Sequence, residues 1–138
     1  MSFEQIQTAC VVRYPFLWAR EAAKGETGGR KRRPVAVGIR LARPQGHDLL
    51  ILFPITSKEL ERDRFAVEIP ETEKRRAGLD RSRRLWIVFD EYNSDIIGRS
   101  FHLEPGPPIG QFSKAFFLPH LKSFIARRRQ SRGVDRAS

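Results

Sequence analysis

One cysteine, Cys10, stands in 138 residues. No disulfide can close within such a chain, and a reducing compartment is the expected setting. The three histidines, His47, His102 and His120, fall with that cysteine at no spacing that holds a metal, so neither a metal nor any other cofactor is expected. The phosphate-cradling patterns GxxxxGKS and GxxxxGKT are missing too, because the run from Gly25 to Lys31 leads into arginine. No apolar run approaches the roughly eighteen residues of a membrane span. The opening MSFEQIQTAC has no cationic stretch ahead of an apolar one. A cytoplasmic protein without a membrane partner is the expectation. Acidic residues are also short, 16 against 26 Lys and Arg, for a net charge of +10. That balance points first to nucleic acid and second to an acidic protein as partner.

The chain is organised around Lys24 to Ile39, KGETGGRKRRPVAVGI. Gly25, Gly28 and Gly29 free the backbone to approach a ligand, and Arg30, Lys31, Arg32 and Arg33 set positive charge beside them. Pro34, which lacks an N–H and fixes φ, suits the first residue of the apolar strand that follows. The cations then sit at the mouth of a sheet.

The chain has the size of one ordinary domain, and 40% hydrophobic residues can build its core. Strands are expected at Thr8–Tyr14, at Pro34–Leu41 and Leu49–Phe53 as an antiparallel hairpin about the turn Arg43–Asp48, at Phe65–Ile69, at Leu85–Phe89 and, briefly, at Phe101–Leu103. Glu71–Arg76 reads as one helical turn and Asp90–Asn93 as a polar connection. From Gln111 to Arg129 the apolar period becomes helical, with Ser113 as N-cap and Pro119 forcing a kink or two short helices. Residues 1–126 thus form one domain and 127–138 a basic disordered tail. The fold class is mainly β with helices, α+β, as a small, bent barrel-type sheet with a C-terminal helix.

Three pieces line up: a Gly-rich loop ending in Arg33-Pro34 before an apolar strand, a strand ending in Pro54-Ile55-Thr56-Ser57, and Gly78-Leu79 ahead of a strand that ends in Asp90. Their order and spacing resemble the PemK/MazF family of toxin endoribonucleases over roughly Val11 to Ile97. The resemblance implies an SH3-like barrel of the MazF/CcdB type, usually a homodimer, that cuts single-stranded RNA at specific sequences without a metal. It also implies an acidic antitoxin protein as partner. Carried over by motif, Arg33 and Thr56 are the residues most tied to cleavage, and Glu26 matches the family's acidic loop residue. The strand Arg13-Tyr14-Pro15-Phe16-Leu17-Trp18 departs from the family's usual acidic start.

Cleavage of this kind needs the 2′-OH activated, the leaving oxygen protonated and charge at phosphorus stabilised. A guanidinium is a planar fork matched to phosphate oxygens, so Arg33 fits charge stabilisation better than proton removal. Thr56 then hydrogen-bonds the phosphate or orients Arg33. Glu26 is a candidate base, and His47, His102 and His120 are alternatives, His102 foremost. Arg30, Lys31, Arg32 and Ser57 are candidate RNA contacts, and Tyr14 and Trp18 are packing aromatics first, with stacking of one of them on a base as the sharper alternative. Two other readings use the same residues: a nucleic-acid-binding barrel without catalysis, and an interaction module that docks an acidic partner.

Overall fold

The computed structural model describes residues 2–27, 31–99 and 102–137. Its elements are β1 (Cys10–Tyr14), α1 (Ala19–Ala22), β2 (Arg33–Leu41), β3 (Leu49–Thr56), β4 (Ala66–Glu68), α2 (Glu71–Arg76), β5 (Trp86–Val88), β6 (Glu91–Ile96), β7 (Gly110–Gln111), α3 (Lys114–Ala126) and β8 (Arg132–Asp135). The fold is α+β, a mostly antiparallel sheet with three helices. The strand path β4-β5-β3-β2-β1-β7 is open, with β6 branching from β3 and β8 lying outside β6, so the expected barrel is not closed.

The fork has a local cause in β3. One edge pairs with β2 from Leu41↔Leu49 to Val35↔Pro54. The other edge pairs with β6 through Leu49–Leu52 and with β5 through Ile55 and Thr56. The change of partner falls at Phe53 and Pro54, and proline has no N–H to give a ladder. β2 bends with it: the register slips between Val37↔Leu52 and Ile39↔Ile51, leaving Gly38 as the extra residue of a bulge. A Cβ on Gly38 would lie 2.3 Å from the Phe53 ring, so only glycine fits there without displacing that ring.

Both faces of the sheet are covered, which is why its central strands read as continuous apolar runs. Val11, Ala36, Phe53, Ile55 and Ile87 enter one core with Phe117, Leu121 and Phe124 of α3. Their neighbours Val12, Val35, Val37, Leu52 and Val88 enter a second core with Ile6, Tyr14, Phe16 and Trp18. Burial of each large side chain in these layers contributes roughly 1.5–3 kcal/mol.

Ser113 caps α3, its Oγ accepting the Phe116 N–H at 3.2 Å. Pro119 lies inside α3, which continues as one helix rather than splitting. Ala115, whose carbonyl the missing N–H would have met, is exposed and can turn to water.

Three expectations change. Asp90–Asn93 is not a connection, since Glu91–Ile96 form β6 with Glu91, Asn93 and Asp95 buried. His102 and Leu103 form no strand, and Phe101 lies outside the described residues. The segment expected as a disordered tail from residue 127 instead makes a 3-10 turn at Arg128–Gln130 and then β8, parallel to β6 from Glu91↔Arg132 to Ser94↔Asp135, with Arg136 buried. Its order comes from polar groups on a distant strand, which local composition does not reveal. No helix among the described residues is long and apolar enough to cross a membrane.

Candidate functional site

β2 begins and β3 ends at the same rim. Val35 pairs with Pro54, and the two strands finish on that side at Arg33 and Thr56. A cleft of about 610 Å³ opens there. Seven lining side chains are Arg or Lys and one, Asp80, is a carboxylate, so the local field is strongly positive. Of the residues singled out in the sequence, Trp18, Lys31, Arg32, Arg33, Thr56 and Ser57 line it.

Arg33 is the least exposed of the cleft's cations. Its guanidinium lies 5.5 Å from the centroid of the Trp18 ring, and that of Arg20 lies 5.1 Å from the same centroid. Such contacts hold a charge in place at about 0.5–2 kcal/mol each. Nε of Arg33 is the one buried side-chain nitrogen or oxygen without a hydrogen-bond partner among the described residues. Burial lowers the Arg33 pKa below its ordinary value; Glu21 opposes that shift and the neighbouring Arg20 adds to it. A half-buried cation with one unpaired buried donor gains from an arriving anion.

The hydroxyls are held by turns. Thr56 Oγ1 accepts the Lys58 N–H at 3.1 Å, while its own proton has no acceptor among the described residues. Residues 78–85, between α2 and β5, form the opposite wall of the cleft, and Ser57 Oγ accepts from Arg83 Nη2 at 3.0 Å, so this wall reaches across to the end of β3. That wall is fixed from behind. Gly78, at φ +70°, backs onto Ile109, where a Cβ would come within 2.3 Å of the carbonyl oxygen. Lys74 Nζ donates to the Arg83 carbonyl at 2.8 Å. Asp80 accepts from the Ser82 hydroxyl and N–H, and these bonds hold its carboxyl below the usual range.

Polar residues of β6 position Trp18. Asn93 accepts the Leu17 N–H at 2.9 Å and donates to the Leu17 carbonyl at 2.8 Å. Glu91 accepts the Ala19 N–H at 2.9 Å. Arg136, arriving from β8, donates to the Pro15 carbonyl at 2.7 Å, to Asn93 Oδ1 at 3.0 Å and to the Thr27 carbonyl at 3.3 Å. Both ends of the segment that carries Trp18, Arg20 and Glu21 are thereby fastened.

Other candidates fall elsewhere. Tyr14 is fully buried, its hydroxyl donates to Asp95 at 2.6 Å, and Arg136 covers its ring at 5.4 Å, so it has no free face for a base. Burial, reinforced by Asp95, pushes the Tyr14 phenol pKa up. Trp18 is 6% exposed and already bears two guanidiniums, an arrangement that orients arginines rather than stacking a base. Glu26 does not line the cleft; the carboxylate set beside Arg33 is Glu21, whose Oε1 accepts the Trp18 N–H at 3.0 Å. Arg30 lies outside the described residues.

None of the three histidines lines the cleft. His102 Nε2 lies 3.2 Å from Arg136 Nη2 and accepts from that guanidinium, which can only donate; burial first and Arg136 second lower the His102 pKa. His120 packs against Phe89 and Phe116, and burial lowers its pKa as well. His47 is exposed in the turn between β2 and β3. Among the described residues no group of three or more His, Cys, Asp and Glu could hold a metal ion.

Sequence reasoning did not reach Arg20, Glu21, Arg83 or Asp80. For Arg20 and Glu21 a signal existed, two charges placed directly after a tryptophan and ahead of the Gly-rich loop. Comparison of the chain with protein-family models, with curated proteins and with solved structures finds no match.

Proposed function

We propose that the cleft binds single-stranded RNA and that the protein is a toxin-type endoribonuclease similar to the PemK/MazF family, on an SH3-like scaffold, restrained by an acidic antitoxin. The observation that carries this reading is the half-buried Arg33, with an unsatisfied Nε, at a rim it shares with the Thr56 hydroxyl inside a cleft of seven cations and one carboxylate. A polyanion without a second strand fits a groove that presents charge and hydroxyls.

In the proposed reaction the 2′-oxygen attacks the adjacent phosphorus. The 2′-O–P bond forms, the P–O5′ bond breaks, and a 2′,3′-cyclic phosphate and a 5′-hydroxyl result. One proton leaves the 2′-OH and one reaches the 5′-oxygen, both through water in the open cleft. Arg33 neutralises charge that grows on the nonbridging oxygens, and the Thr56 O–H donates to one of them.

A second reading, RNA binding without turnover, is favoured by one observation: among the described residues no histidine lines the cleft, and its single carboxylate is engaged by Ser82. Incubation of the wild-type chain with single-stranded RNA, beside Arg33→Ala and Thr56→Ala, distinguishes the two: RNA bound but left intact by the wild type favours the second. Each variant abolishes cleavage of single-stranded RNA, with circular dichroism unchanged, if the nuclease reading is right; full cleavage by both variants removes it.

A further inference from the structure

Next to the cleft, and sharing Trp18, Arg20, Lys31 and Arg33 with it, lies a smaller pocket of about 170 Å³ completed by Phe16 and Glu21. It is well below the several hundred cubic ångströms that a drug-sized ligand occupies, and holds roughly the volume of five or six waters. Its size selects a small group.

Its charge selects the sign. Three cations face one carboxylate, and Glu21 already accepts the Trp18 N–H. Arg20 and Lys31 have no ion-pair partner among the described residues, and Arg33 keeps an unsatisfied buried donor. Two guanidiniums held over one indole repel each other, and the single Glu21 carboxylate beside them leaves an excess of positive charge. The forks of two arginines match the oxygens of a tetrahedral oxyanion better than they match a single-atom ion.

We propose that this pocket is a phosphate subsite, held by Arg20, Lys31 and Arg33 over the Trp18 ring. Resting on the RNA reading above, its occupant there is the phosphate of the nucleotide beside the one at Thr56. The strand then turns around Arg33, which touches both phosphates. Arg20 supplies the contact that belongs to this pocket's anion.

The test is titration of the folded chain with inorganic phosphate at constant ionic strength, following the arginine Nε–H resonances by NMR. The Arg33 and Arg20 signals shift together in the wild type. Arg20→Gln, at an exposed position, weakens phosphate binding by about tenfold or more, the loss of one charge-assisted contact, whereas Arg128→Gln, which removes the same charge from the C-terminal turn, does not. No shift at Arg20 and Arg33, or equal losses in the two variants, overturns the subsite.

Oligouridylates with and without a 3′-terminal phosphate separate the two sources of the group. If a terminal phosphate is bound, its presence strengthens wild-type binding and Arg20→Gln cancels the gain. If an internal phosphodiester is bound, both oligomers bind alike and Arg20→Gln weakens both; no effect of Arg20→Gln on either oligomer overturns the subsite. Phosphate binding at Arg20 and Arg33 by a chain that leaves RNA intact supports the subsite and defeats the nuclease reading. Cleavage of RNA by a chain whose Arg20 and Arg33 ignore phosphate does the reverse.

Discussion

Replacement of Arg136 by alanine tests whether the end of the chain holds the cleft together. The side chain is 7% exposed and makes two short hydrogen bonds, 2.7 Å to the Pro15 carbonyl and 3.0 Å to Asn93 Oδ1, with longer ones to Thr27 and His102 and a cation–π contact to Tyr14. A hydrogen bond from a charged donor contributes about 1.5–3 kcal/mol, so the two short bonds give roughly 3–6 kcal/mol. Two effects reduce this. Asn93 Oδ1 keeps the Leu17 N–H, and β8 lies at the sheet's edge, where water can reach the truncated site. Arg136→Ala is therefore expected to cost about 3 kcal/mol, a drop in the urea midpoint of about 1–2 M for a typical m-value. Arg136→Lys keeps the charge without the fork and loses about half as much. Urea unfolding followed by tryptophan fluorescence reads both. A loss below about 0.5 kcal/mol for Arg136→Ala, the level of an ordinary surface substitution, would refute the claim that β8 is fastened by this side chain.

Glycines at close backbone approaches should behave differently from those in open turns. A Cβ at Gly110 would lie 2.2 Å from the Ala77 carbonyl carbon and one at Gly38 2.3 Å from the Phe53 ring, whereas Gly46 has open space. Gly110→Ala should cost about 3 kcal/mol or more, because backbone must shift, and Gly38→Ala about 1–3 kcal/mol; thermal melts that rank Gly46→Ala as the worst of the three contradict this. His102 and His120 both have lowered pKa values in the fold. The unfolded chain, with pKa near 6.5, binds more protons below that point, so stability is fully present above about pH 6.5 and falls as the pH drops toward the lowered folded values. The double variant His102→Gln/His120→Gln should flatten the decline in urea midpoint between about pH 7 and pH 5, and an unchanged slope would count against both assignments. Glu73, which accepts the Ser113 N–H and hydroxyl at 2.8 Å each, ties α2 to the start of α3. Glu73→Ala should cost about 2–4 kcal/mol by the same measure, and a neutral result would show that cap to be dispensable.

The hairpin of β2 and β3 was legible because both faces of each strand are buried, so VAVGI and LLILF are apolar at nearly every position. Ser113 and the Lys114–Ala126 helix followed from cap chemistry and period. β6 was hidden because its pattern is inverted: Glu91, Asn93 and Asp95 point inward, where they bind the backbone of the segment around Trp18 and the Tyr14 hydroxyl. β8 was hidden for a related reason, since the short polar run RGVD gains its order by pairing with β6 and from the Arg136 side chain that follows it. At the site, Arg33 and Thr56 were readable as strand termini, and the register brings them to one rim. Tyr14 and Trp18 follow the packing reading rather than the stacking one, because β1 and the segment after it are buried on both faces. The carboxylate beside Arg33 is Glu21 because α1 turns it back toward that side chain, a short-range folding event that Gly-rich composition obscures.

The most direct test of the central claim is incubation of the purified chain with a long single-stranded RNA in EDTA, beside Arg33→Ala, followed by mapping of both ends of every fragment. Discrete cuts are expected in the wild type alone, each leaving a 2′,3′-cyclic phosphate and a 5′-hydroxyl. Intact RNA in both samples, or identical cuts in both, would contradict that claim.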